Sequence, residues 1–451
     1  MRAGPAASAR ADTLGDPHPA HDLLSTTSTD GHGAPVRPPV RPPVSPPVRP
    51  PASPLAVAIA GLLSLAVAMG IGRFAFTPLL PMMLNDGVVS LAAASWLATA
   101  NYFGYWLGAV VCALLPWLWS RWRAPALVHT RVVRMGLVAT VLLTLAMALN
   151  VPTLWPLWRF VAGVVSAFVF VFTSGWCLAR LTALGKPALA GVIYVGPGLG
   201  ITVSGLAASA MVAGGLTAAA GWGALGVLAI VLTALAWPHL RGAVVAPAAL
   251  AGPALAAPGA ALWLFALAYG LAGFGYIVTA TFLPVIARQA LPGSVWLDLF
   301  WPLFGLGVAA GALLTVRLPV HWDRRHLLMA SYTMQALGVL LTVWLPSLLG
   351  FAAGSLLLGL PFTAITLFAM QEARRLRPHD ASAFIGLLTA AYGLGQIVGP
   401  PMVAWLLQGS ASPARGFALS LQVAAAGLLA GVALYAWLAR QHPLLRSAAP
   451  G

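Results

Sequence analysis

From Leu55 onward, apolar runs each long enough to cross a bilayer follow one another with almost no charge inside them. A transmembrane helix needs roughly 20 apolar residues. Lipid admits only segments whose backbone hydrogen bonds close internally, and runs of this length close them as helices. The spacing predicts helices over 55–83, 89–116, 132–149, 153–178, 188–213 and 218–238, then 261–287, 295–316, 327–345, 348–371, 383–408 and 416–439. Only 7% of the residues are charged, against about 25% in a soluble domain. Such a chain cannot cover itself for water, so its expected solvent is the lipid bilayer.

Three segments fall outside this pattern. Residues 1–54 form a polar, Pro-rich tail ending in VRPPVRPPVSPPVRPPASP, which favours polyproline conformation and is expected to be disordered. Residues 239–260 read as a linker between two sets of six helices (55–238 and 261–440), and 441–451 as a short tail. The net charge of +15 could suggest nucleic acid, but its distribution points elsewhere. Of the 24 Lys and Arg residues, all but Arg73, Arg159, Arg288 and Arg415 lie in the N-terminal tail, in every second connection or at the C-terminal end. By the positive-inside rule those connections and both termini face the cytosol. The basic clusters are read as facing anionic headgroups, with no nucleic-acid partner.

The two sets of helices repeat each other. "AMGIGRFAF" (Ala68–Phe76) aligns with "AYGLAGFGY" (Ala268–Tyr276), pairing Gly70 with Gly270 and Arg73 with Gly273. "RFVAG" (Arg159–Gly163) aligns with "GFAAG" (Gly350–Gly354). Gly191, Gly198 and Gly200 fall without a gap on Gly386, Gly393 and Gly395. Copies separated by six helices keep their orientation, which gives two parallel halves related about the membrane normal. The expected fold class is therefore all-α integral membrane, with twelve transmembrane helices in two pseudo-symmetric six-helix bundles.

The stretch "GIGRFAFTPLLPMMLNDGVVSLAAASWLATANYFGYWLGA" (Gly70–Ala109) resembles the start of the YbfB/YjiJ-type branch of the major facilitator superfamily. The resemblance covers residues 55–440 and implies a secondary transporter working by alternating access, with helices 1 and 4 lining a central cavity. Arg159-x-x-x-Gly163 resembles the superfamily's arginine motif in helix 4. Gly191, Gly196, Pro197, Gly198 and Gly200 resemble its Gly-Pro motif in helix 5, with Gly393 and Gly395 as their counterparts in helix 11. "DRRH", with Asp323 and Arg324, resembles the gating loop of the second half. The corresponding loop of the first half, "SRWR" (Ser120–Arg123), lacks the acid. These glycines serve close helix packing whatever else they do.

Polar residues inside the runs carry the functional reading. A guanidinium keeps its charge at any accessible pH and must face protein or water inside a membrane. Arg73 lies roughly 15 Å and Arg159 roughly 9 Å below the outer surface, at 1.5 Å per residue. Two arginines with no deep carboxylate suggest an anionic group on a small-molecule substrate; the competing reading is that they snorkel or cap carbonyls of broken helices. Phe76, Thr77, Asn101 and Tyr276 complete the candidate substrate site. Asp298, at the start of helix 8 after a Ser294 cap, is the candidate for proton coupling, against a plain helix-dipole role. Glu372 beside Arg375 reads as an interfacial ion pair.

All nine histidines fall in tails or loops by these boundaries, and Cys112 and Cys177 form no pair. No G-x-x-x-x-G-K-[ST] phosphate loop is present. No cofactor or metal is expected, and the chain reads as a transporter rather than an enzyme, working as a monomer in the bacterial inner membrane. Efflux of non-anionic compounds and a non-transporting receptor or transferase remain the alternatives. Since the Pro-rich tail has little to bury, deleting residues 2–50 is expected to leave membrane insertion and transport unchanged. A truncated protein that inserts normally but no longer transports contradicts this.

Overall fold

The computed structural model describes residues 53–122, 128–242, 259–294, 296–315, 317–319, 322–377 and 381–441. The N-terminal tail, most of the 239–260 linker and nearly all of the C-terminal tail lie outside them. Twelve helices long and apolar enough to cross a membrane account for almost all that is described: α1 Pro54–Asn85, α2 Leu91–Leu115, α3 His129–Ala146, α4 Trp155–Ala183, α5 Pro187–Ala213, α6 Ala218–Ala236, α7 Ala260–Ala290, α8 Leu297–Thr315, α9 Arg324–Trp344, α10 Leu348–Leu376, α11 Phe384–Gln408 and α12 Pro413–Gln441. Below, the side on which α1 begins is the near side, and the side on which it ends is the far side. The twelve segments read from the sequence match these within a few residues. One histidine departs from expectation. His129 is the first residue of α3 and is buried, with its ring 5.1 Å from that of Phe172.

Local chemistry explains the ends. Ser53, Thr217, Asp323 and Ser347 each accept a backbone N–H in the first turn of α1, α6, α9 and α10, satisfying donors the helix cannot. Asp86, just past α1, accepts the Ala218 amide of α6 at 2.6 Å, so one acid ties two far-side ends together. Ser294 does not cap α8: its Oγ accepts from Trp296 N, and α8 opens instead with a 3-10 turn, Leu297–Leu299.

Each half uses the same set of neighbours. In the first, α4 packs on α2 and α3, α1 on α5 and α6, and α3 on α6; in the second, α10 packs on α8 and α9, α7 on α11 and α12, and α9 on α12. The halves meet through α5 on α8, α2 on α11 and α1 on α7. Glycines mark these crossings because a side chain would strike the facing helix. A Cβ on Gly198 would lie 2.5 Å from Ala309 N, and one on Gly393 2.5 Å from Trp106 Cδ1, the same inter-half contact seen twice. Likewise a Cβ on Gly200 would stand 2.5 Å from Ala66 O, and one on Gly395 2.2 Å from Gly270 O. The gapless match of helices 5 and 11 is thus a match of position in space.

Two other pairings shift. Gly163 fits against Asn101 O, and its spatial counterpart is Gly359 against Phe304 O. Arg159 therefore corresponds to Ser355, not Gly350. Ala66, not Gly70, occupies the place of Gly270. A π turn at Ala66–Ile71 then offsets α1, and Thr77 Oγ1 donates to Ala280 O at 2.8 Å where α1 meets α7. Counting back from that pair puts Arg73 level with Tyr276 rather than Gly273. Short apolar and glycine-rich repeats can be aligned in several registers; backbone contact distinguishes them. Gly200→Leu is expected to destabilise the folded protein by about 3 kcal/mol, the upper range for overpacking. Gly223→Leu, on α6 with nothing within 4 Å of the added carbon, is expected to be neutral in the same thermal-unfolding measurement. Equal effects contradict the crossing.

Candidate functional site

The site begins with a break in α1. The backbone runs as α-helix over Pro54–Leu65, widens into the π turn, turns at residues 72–75, and resumes as α-helix over Phe76–Asn85. Pro78 and Pro81 lie in the resumed segment, beyond the bend. Their effect reaches backwards. Pro78 has no N–H for the Phe74 carbonyl, so the Thr77 amide serves it at 3.2 Å. The Arg73 carbonyl, which that amide would otherwise take, is left free. Arg159 fills the gap: its Nη2 donates to Arg73 O at 3.1 Å and its Nη1 to Gly72 O at 3.3 Å. The ring of Phe76 lies 5.0 Å from its Cζ. Asn101 on α2 donates to Arg159 O at 2.9 Å, locking α2 and α4 to the same point.

Arg159 therefore holds the broken helix in shape, the capping role weighed above against substrate contact. Ser166 supports it from a turn away, donating to Ala68 O at 2.8 Å.

Arg73 projects from this break towards the second half. It is 3% exposed. Its Nη2 donates to Gln396 Oε1 on α11 at 2.6 Å, and Gln396 Nε2 donates to Tyr276 Oη on α7 at 2.5 Å. The guanidinium lies over the Tyr105 ring, 3.7 Å from its centroid, with Phe74 and Tyr102 rings farther out. Tyr276 in turn packs on Phe362 and Tyr392. The Nε atoms of both arginines and Oδ1 of Asn101 have no hydrogen-bond partner. Among the described residues neither arginine forms an ion pair; the acids Asp86, Asp298, Asp323 and Glu372 all sit at helix ends. A buried unpaired charge costs several kcal/mol. One hydrogen bond to a neutral amide and a desolvated cation–π contact return roughly 1.5–3 and about 2 kcal/mol.

The candidates named from sequence thus divide. Arg73, Phe76, Thr77, Asn101, Arg159 and Tyr276 do gather at one level of the bundle, around the α1 break and the α1–α7 seam. Asp298 does not join them. It sits at the far end of α8, where its carboxylate pairs with Arg288 and its carbonyl accepts from Ser209 Oγ at 2.9 Å. Sequence reasoning missed Gln396 and the tyrosines Tyr102, Tyr105 and Tyr392. For Gln396 a signal existed: it is a lone amide inside the apolar middle of α11, and its gapless partner in helix 5 is Ile201.

Closure of the halves extends on both sides of Arg73. Towards the far side, Thr77 binds Ala280 O and Tyr102 Oη shares a hydrogen bond with Thr281 Oγ1 at 2.8 Å. Towards the near side, Trp106 Nε1 donates to Ala390 O at 3.1 Å, about 9 Å along α11 from Gln396 at 1.5 Å per residue. Every one of these bridges is neutral.

Among the described residues, the "DRRH" segment has hydrogen-bond partners in the second half. Asp323 accepts from Arg325 N, Nε and Nη2 at 2.9, 3.1 and 2.8 Å, and Arg325 also approaches Glu372 at 3.9 Å and donates to Leu438 O on α12. Glu372 is buried and doubly bonded by Arg375. Arg324 donates to Pro319 O. Burial would raise the Asp323 carboxyl, but hydrogen bonds from Arg325 and the charges of Arg325 and His326 outweigh it and hold the group below its ordinary value of 3.8. A depressed native pKa contributes stability above the unfolded pKa and loses it as pH falls through the native one. Asp323→Asn keeps the cap acceptor but loses the charge facing Arg325, and is therefore expected to lower stability by about 1 kcal/mol, the upper end for a partly exposed ion pair, equally at pH 5 and pH 8. The gap to wild type should close only below pH 3.8; a gap that closes near neutrality contradicts this.

Comparison with known proteins agrees with this architecture. The chain belongs to the family described as "Uncharacterised MFS-type transporter YbfB", which matches residues 65–436, and so to the transporters of the major facilitator superfamily. Over 84 residues it is 33% identical to the cyanate transport protein CynX of Escherichia coli K12. That stretch is 19% of this chain and 22% of the relative, so the chain spans about a fifth of the curated protein it matches. The nucleoside transporter NupG superposes with a TM-score of 0.66 at 14% identity, over 85% of this chain and 99% of that one. A bacterial homologue of the lysosomal transporter Spinster, inward-facing and occupied, gives 0.57 at 14% identity, over 86% and 96%. At these identities the likeness is one of fold.

Proposed function

We propose that this transporter moves a small organic anion across the bacterial cytoplasmic membrane by alternating access, with Arg73 as the group that receives the anion. The observation that carries the reading is the buried guanidinium that has no acidic partner among the described residues and donates to the neutral Gln396. A charge left without a counter-ion in a low-dielectric interior is stabilised most by a ligand that brings the opposite charge. Its spatial counterpart in the second half is the uncharged Tyr276, so the repeated packing does not demand a cation there.

In this reading Arg159, with both Nη groups on backbone carbonyls, is a positioning residue, and Asn101 and Phe76 steady it. Thr77 belongs to the closed seam, and Tyr276 and its neighbouring rings would face the organic body of the substrate. CynX is a cyanate transport protein, and cyanate is itself a small anion, which is consistent in sign of charge. The distribution of Lys and Arg supports cytosolic termini. Asp298, tied to Arg288 at the far end, is read as fastening α7 to α8; proton coupling would need a titrating group closer to Arg73.

Purified protein screened against small carboxylates by thermal shift is expected to yield a stabilising acid. Arg73→Lys keeps the charge and loses the planar fork that grips a carboxylate through two hydrogen bonds. It is expected to weaken that acid's affinity tenfold or more, about 1.4 kcal/mol, and Arg73→Ala further still. Binding by Arg73→Ala as tight as wild type contradicts the proposal.

A further inference from the structure

We infer that Gln396 is an internal stand-in for the substrate's anionic group: it occupies Arg73 when no anion is bound, and so lets the empty carrier close. The inference rests on the anion reading above for what displaces Gln396, but the closure itself can be measured without any ligand.

Gln396 is built into the site. It is 2% exposed, and both ends of its amide are used, Oε1 on Arg73 and Nε2 on Tyr276 Oη. A single side chain thereby joins α1, α7 and α11, that is, both halves. Its reach is short, and the helix beneath it is brought close by glycine: Gly393 lets α11 sit against Trp106 of α2, and Gly395 lets it sit against Gly270 and Phe274 of α7. A side chain at either position would push Gln396 off Arg73. Its counterpart in the first half is Ile201, so the amide, like the arginine it meets, belongs to one half only.

The chemistry of the contact fixes its role. An amide oxygen accepts one bond from a guanidinium and carries no charge. A carboxylate or phosphate brings two oxygens and a full charge, and hydrogen bonds between opposite charges are roughly twice as strong as neutral ones. An anion therefore displaces Gln396, and a bound anion bridges the halves through Arg73 in its place. Without either partner the guanidinium would be closed into the seam with only neutral aromatic residues against it, Tyr105 the nearest, because the remaining inter-half bridges do not involve Arg73. Gln396 removes that penalty from the empty, closed carrier. Removing Gln396 makes closure depend on a bound anion.

Spin labels at Leu178 on α4 and Leu376 on α10, both exposed near the near-side ends, report the separation of the halves once Cys112 and Cys177 are replaced by Ala. In low-salt Hepes buffer the full-length wild type is expected to populate the short, closed distance. Gln396→Leu, and Gln396→Asn whose amide falls a methylene short, are expected to deplete it at least threefold. Gln396→Glu supplies a permanent counter-ion and is expected to stay closed. Acetate, benzoate and inorganic phosphate are then titrated. At least one is expected to restore closure in Gln396→Leu, and none to alter Gln396→Glu. If Gln396→Leu and Gln396→Asn give the wild-type distribution without anion, the stand-in role is wrong, whatever the titration shows. If they open as expected but none of the three anions recloses them, Gln396 keeps its role in closing the empty carrier, and its displacement by an anion is overturned together with the anion reading.

Discussion

The site depends on a helix that fails to stay regular. Within a membrane every backbone carbonyl must find a donor, and α1 leaves two of them, at Gly72 and Arg73, without one of its own. At Arg73 the cause is chemical and local: Pro78 cannot donate, Thr77 shifts its amide by one residue, and the vacancy moves back to Arg73. Arg159 closes it from α4, and Asn101 ties Arg159 to α2. Three helices are thus fixed to one point, and that point is where Arg73 leaves the backbone. The brace is what allows a charge to be held in mid-bundle at a defined place.

Two arginines close together in a buried interior repel each other and, among the described residues, share no acid. They persist because they have different tasks. Arg159 spends its donors on backbone carbonyls and is satisfied by the fold apart from its Nε. Arg73 is given one neutral acceptor and an aromatic wall, which stabilise it only in part. That imbalance, rather than the mere presence of a charge, is what supports the proposal that Arg73 is the ligand's contact. The seam around it follows the same economy, being built of glycine crossings and neutral hydrogen bonds that can part without stranding an ion.

Much of this was legible from residues alone. Twelve helices follow from run length, because lipid permits little else, and the Gly198/Gly393 and Gly200/Gly395 pairs were found without a gap because glycine at a crossing is set by backbone clearance. The pairing of Arg159 with Gly350 and of Arg73 with Gly273 was not sound. Alanine- and glycine-rich helices match one another in several registers, and the π turn in α1 shifts the count within a helix, which no residue announces. Asp298 looked like an isolated acid, since its partner Arg288 lies across a connection whose shape the sequence does not give. Gln396 was overlooked because an amide carries no charge, although a lone amide in the middle of an apolar helix is costly enough in lipid to need a reason.

The central claim is that the interior of this transporter lacks one negative charge, which the substrate supplies. Matched pairs of acid and amide test it most directly, since the two differ in charge and little in shape. Wild-type protein would be titrated by calorimetry with each acid that stabilises it and with the corresponding amide. The account predicts that the acids bind and their amides do not, at any concentration that the acids need. Equal binding of acid and amide, or a set of ligands that are neutral or cationic, would contradict it.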